Sequence, residues 1–170
     1  MALLRRLFGD RLPEGFPGEL SPAENALGVA AVAGGGHLVV TELGLWLPEG
    51  RRVGWHLISK ASWQADVLTL VEAAETGTAG AAVLLEDRPP VRFALPKPGR
   101  VPVLIRQRVD SSIRGRHRQE LTGGGVWFVQ RKVPGQDGSV LQARPDPGVD
   151  AEVVAAIARE AAEKLARPEA

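Results

Sequence analysis

Thr41-Glu42-Leu43-Gly44-Leu45-Trp46-Leu47-Pro48-Glu49-Gly50 is the stretch on which the fold turns. Leu43, Leu45 and Leu47 alternate with Gly44 and Trp46, so the leucines share one face of an extended chain. A helix would need apolar residues three and four apart instead. Pro48-Glu49-Gly50 then breaks the ladder, because proline has no N–H and glycine accepts turn geometry.

The same grammar spreads outward on both sides. Upstream, residues 27–33 and 37–41 are short apolar runs around the flexible turn Gly34-Gly35-Gly36. Downstream, runs at 53–58, 67–73, 81–86 and 91–95 follow at short intervals, with Pro89-Pro90 between the last two. Short strands separated by turn signals predict an antiparallel meander over 27–95. Residues 10–26 carry Pro13, Gly15, Pro17, Gly18 and Pro22, which favours an irregular extended arm. Before it, Leu3, Leu4, Leu7 and Phe8 fit one or two helical turns.

Beyond 95 the pattern changes. Pro102 suits a first helical position, and Ile105, Val109 and Ile113 recur at helical steps. Strand period also fits Val101, Val103 and Ile105. Three more β runs follow at 114–121, 126–133 and 139–144, separated by glycine-rich turns. A closing helix is predicted from the N-cap Asp150, with Val154, Ile157, Ala161 and Leu165 as its apolar stripe and Pro168 as its stop. The chain therefore reads as α+β, mainly β, with an arm at 1–26 and one domain over 27–167.

Composition narrows the chemistry. The 170 residues are 44% hydrophobic with a formal net charge of +1, a globular composition with no global pull toward nucleic acid or membrane. With no cysteine, thiolate metal sites, disulfides and cysteine nucleophiles are excluded. No apolar h-region follows Arg5-Arg6, no run is long enough to cross a bilayer, and Ala2 stands where myristoylation needs glycine. The expected location is the cytoplasm.

His37, His56 and His117 fall in separate predicted strands without metal-ligand spacing, and no nucleophile elbow surrounds Ser111, Ser112 or Ser139. Neither glycine triplet has the phosphate-cradling pattern. No catalytic residue, metal site or cofactor is assigned. The tryptophans Trp46, Trp55, Trp63 and Trp127 lie in β runs and are expected in the core.

Local charge is the one strong signal. Residues 97–132 hold nine basic residues against two acidic ones, a balance of +7, while the twelve basic and eighteen acidic residues elsewhere give −6. Arg106, Arg108, Arg114, Arg116, Arg118, Arg131 and Lys132 are the candidate binding residues. On a strand, Arg114, Arg116 and Arg118 would share one face at about 6.7 Å spacing, a geometry that suits phosphate or carboxylate groups. Solvated arginines paired with the acidic closing helix are the plainer reading.

The stretches 41–48, 52–63 and 124–134 resemble a family of small actinobacterial proteins, and the likeness covers 11–150. Residues 27–95 also resemble bacterial pleckstrin-homology-like domains, in which a strand with the spacing of Trp55, Ile58 and Ala61 follows a hairpin. The resemblance implies a β roll with a C-terminal helix and a binding role, and it supplies no catalytic residue. The three strands between the two predicted helices leave open which helix closes the roll. The function expected is a non-catalytic binding or scaffold module for another protein. The alternative is a binder of nucleic acid or anionic lipid through 97–132.

Overall fold

A computed structural model describes residues 10–167 of the chain. The helical turns expected around Leu3 to Phe8, and the stop at Pro168, lie outside the described residues. In chain order the strands are β1 (Ala26–Ala31), β2 (His37–Thr41), β3 (Gly44–Trp46), β4 (Arg52–Gly54), β5 (Ile58–Gln64), β6 (Val67–Ala79), β7 (Ala82–Asp87) and β8 (Val91–Ala94). Helix α1 (Val101–Ser112), strands β9 (Ile113–Leu121), β10 (Gly124–Lys132) and β11 (Ser139–Pro145), and helix α2 (Ala151–Ala166) complete the chain. The class is α+β and mainly β, with a helix at the C-terminal end.

The reading of 27–167 as one domain meets a chain that divides into two compact units. The first comprises residues 10–72 and Pro89–Ser111, and the second Ala73–Arg88 and residues 112–167. The 13-residue β6 contributes its first half to one unit and its second half to the other.

In the first unit, β1 to β4 form an antiparallel sheet in chain order, and β6 pairs with β5 on one side and β8 on the other. Alternation in the deciding stretch places its side chains on two sides. Leu45 and Leu47 enter a core with Leu38, Val40, Val53 and Trp55, while Trp46 enters a separate cluster with Ala26 and Val39. Gly44 has no alternative at its position, because a Cβ there would collide with the Val53 carbonyl. Val101, Leu104, Ile105 and Val109 of α1 join the same core. Seven strands and a helix around one core are the plan of a pleckstrin-homology-like roll. The helix in that core is α1, which answers the question the sequence leaves open.

The arm lies on the domain itself. Phe16 meets Trp46 edge-on at 6.0 Å, and Phe16 and Leu20 pack against its cluster. Glu24 is only 1% exposed. Its carboxylate accepts from the Thr41 hydroxyl, from Trp46 Nε1 at 2.9 Å, from the Ser21 N–H at 3.0 Å and from Arg52 at 2.8 Å. Burial opposes its ionisation, but the bonds from Thr41, Trp46 and Ser21 and the charge of Arg52 outweigh burial and hold the carboxyl below its ordinary pKa.

In the second unit the strand order is β6, β7, β11, β10, β9. Every strand pair within the expected meander of 27–95 is antiparallel. β11 lies outside it and pairs with β7 in parallel, because β8 to β10 and α1 intervene in the chain before β11 returns. The Asp150 carboxylate caps α2 by accepting from the N–H groups of Glu152 and Val153. The buried stripe is Val154, Ala158 and Ala162, packed on Ala79, Ala82, Val126, Phe128 and Ala143. The expected stripe is thus rotated: Ile157 and Ala161 are half-buried, and Leu165 is 54% exposed. Alanines line the contact on both sides, which permits a close approach of helix to sheet and leaves the larger Ile157 and Leu165 at the flank.

Two further expectations change. Trp46 and Trp55 are core residues, but Trp63 is 38% exposed and Trp127 is half-buried. Ile113 is not on the helix; it begins β9.

Two substitution tests follow from this packing. Ile105→Ala should destabilise the first unit by about 2–5 kcal/mol, since it empties a fully buried site. Leu165→Ala should cost less than about 0.5 kcal/mol. The turn between β5 and β6 offers a gain. Ala65 and Asp66 both hold positive φ, 50° and 62°, where β-carbons are penalised. Ala65→Asn with Asp66→Gly should raise stability by about 1 kcal/mol. Urea unfolding midpoints at unchanged slope measure all three.

Candidate functional site

The seven candidate basic residues are divided between the two units. Arg106 and Arg108 belong to the first unit, and Arg114, Arg116, Arg118, Arg131 and Lys132 to the second. Arg106 is exposed and pairs loosely with Asp110 at 3.9 Å, while Arg108 is half-buried.

Within the second unit the arginines have three different fates. Arg131 is 4% exposed, and its Nε donates to the Ser112 hydroxyl at 2.9 Å. Burial, and next the nearby charge of Arg144, push its guanidinium down to about 10. Arg118 is fully engaged. It donates two bonds to Asp146 at 2.7 and 3.2 Å and one to Glu120 at 2.6 Å, and it covers the Trp127 ring at 5.6 Å. Arg114 and Arg116 are exposed, and neither side chain has a hydrogen bond or ion pair among the described residues. Lys132 is likewise exposed.

The register explains why the three β9 arginines part company. Arg116 lies opposite Val129 and Arg118 opposite Trp127, so these two share the sheet face turned away from Phe128 and α2. Between residues 113 and 115 the strand carries a bulge, with Arg114 as the extra residue. The single arginine face expected from alternation is therefore interrupted at Arg114. The expected pairing with the closing helix is also absent: the carboxylates that meet Arg118 come from Glu120 and from Asp146, just beyond β11.

Asp146 is a structural hinge of charge. Besides Arg118 it accepts the Gly125 N–H at 2.9 Å, and these bonds pull its carboxyl down to about 2. The Asp146 N–H in turn donates to the Gly125 carbonyl at 2.8 Å. Beside this cluster opens a groove of about 610 Å³, lined by Asp87, Trp127, Arg144, Asp146, Val149 and Val154 among others. Arg144 and Asp87 face each other there at 3.7 Å. The Trp127, Arg118 and Asp146 cluster was not legible in sequence, because its members lie on three separate segments.

The edge on which Arg114 and Arg116 sit is itself the notable feature. β9 is nine residues long, pairs only with β10, and contains no buried residue. Among the described residues no strand covers its other side. In an edge strand every second residue turns its N–H and C=O outward, unpaired by the sheet. The edge at β1 is handled differently: the Asp10 N–H donates to the Ala26 carbonyl at 2.7 Å, and the Asp10 carboxylate accepts the Val29 N–H at 3.1 Å.

Among the described residues no group of three His, Asp or Glu side chains is placed to hold a metal. His37 and His56 are in the first unit and His117 is in the second. No helix is long and apolar enough to cross a membrane. No protein-family model, curated protein or solved structure matches the chain.

The Asp146 pKa carries a direct test. Its folded value lies below the ordinary 3.8, so its contribution to stability is complete above that value and is lost as pH falls toward 2. Carboxyl NMR should place the Asp146 midpoint near 2. In Arg118→Ala the midpoint should return toward 3.8.

Proposed function

We propose that this chain is a non-catalytic, cytoplasmic binding module that engages another protein by taking an extended segment of it onto β9. The open edge of β9 carries this reading. A regular edge offers main-chain donors and acceptors to any extended polypeptide, and side chains then choose among candidates. β5 also ends a sheet path, but it is shorter and a bulge at Ser59 interrupts it, leaving 60–64 beyond the irregularity. β9 keeps an unbroken run over 115–121 past its own bulge.

A pleckstrin-homology-like roll in the first unit fits the same role, as a scaffold without a catalytic constellation. The nucleic-acid or lipid alternative draws less support. Arg131 is buried and Arg118 is held by two carboxylates, so a phosphate ligand would find Arg114, Arg116 and Lys132 on the second unit.

Site-specific photocrosslinking in the native cell tests the reading. A crosslinker at position 117 on β9 should capture extended segments of one protein, and the same probe at position 60 on β5 should not. Equal capture at both positions, or capture of nucleic acid or lipid at 117, would count against strand addition to β9.

A further inference from the structure

Strand addition leaves the chemistry of the incoming segment unspecified, and the charges on β9 narrow it. We propose that the occupant of β9 is an acidic extended segment of another protein, with carboxylates to meet Arg114 and Arg116. The proposal rests on the strand-addition reading above.

Two observations lead to it. Arg114 and Arg116 are exposed and have no carboxylate partner among the described residues, whereas Arg118 beside them is saturated by Asp146 and Glu120. The unit therefore satisfies one arginine of this strand internally and leaves two for an outside partner. Side chains directly opposite each other across a new strand pair lie about 4.5–5.5 Å apart, within reach of an Arg–carboxylate bond.

The second concerns the other face. His117, Gln119 and Leu121 project on the side of Val126 and Phe128, toward α2. Leu121 packs at the margin of that core. Residues of the incoming strand on this side meet a mixed, mostly uncharged surface, so the carboxylate for Arg116 is called for on the opposite face. Arg114, the bulge residue, stands outside that alternation.

Full-length protein is titrated with fluorescent nine-residue peptides of alternating Glu–Val, Lys–Val and Ser–Val sequence, with hydrogen exchange of 113–121 read in parallel. The Glu–Val peptide should bind about tenfold more tightly than Lys–Val, weaken with salt, and protect β9 amides. Arg114→Glu with Arg116→Glu should invert the preference; both side chains are exposed, so the variant should keep its unfolding midpoint within error. If Ser–Val and Lys–Val protect β9 as well as Glu–Val, strand addition stands and the acidic chemistry is overturned. If no peptide protects β9, strand addition itself falls. Binding of single-stranded RNA or phosphatidylglycerol vesicles that is lost in the double variant, without Glu–Val binding, overturns the proposal in favour of phosphate.

Discussion

A β-sheet that does not close leaves a row of backbone donors and acceptors unpaired at each end, and this constraint shapes both units. Every such edge must be covered, charged, kept short or used. The first sheet covers one of its ends with the arm, whose Asp10 takes both a backbone and a side-chain role along β1. The opposite end, β4, is only three residues long. β9 has neither protection: it is long, uncovered and arginine-bearing. Arg114 and Arg116 are exposed on it, and charge is one of the means by which an uncovered edge is kept from indiscriminate pairing.

The arm deserves its place in the fold for a second reason. A buried carboxylate without partners is costly, and Glu24 escapes that cost only because Thr41, Trp46, Ser21 and Arg52 all turn to it. These donors come from β2, β3, β4 and the arm, so one carboxylate ties four segments together. Arg52 also covers the Trp46 ring at 5.4 Å. The arm is thus a part of the roll, held by a polar centre and by the Phe16 and Leu20 contacts around Trp46.

The second unit distributes charge by the same physics. Arg131 is buried beside a hydroxyl, Arg118 is paired and stacked, and Arg114 and Arg116 remain in solvent. In sequence these residues look equivalent. Burial, a bulge and the position of Asp146 make them different, and each of those depends on chain segments far from β9.

By itself the sequence determined the elements whose signals are local. The alternation of Leu43, Leu45 and Leu47 and the turn at Pro48 mark β3 and its end, and the expected run 37–41 matches β2. Asp150 announces α2 because an N-cap is a property of neighbouring residues. The turn between β5 and β6 was missed for an equally local reason: it uses Ala65 and Asp66 at positive φ, without the glycine or asparagine that betrays such a turn. Only the tertiary structure decided which helix enters the roll, which stripe of α2 is buried, that β7 and β11 run parallel, and which arginines stay free. Helix periodicity defines a stripe but not the surface that receives it, and pairing of distant strands leaves no mark in either strand alone. A charge's fate is set by what the folded chain brings within a few ångströms of it, and for Arg118 that is Asp146, 28 residues away.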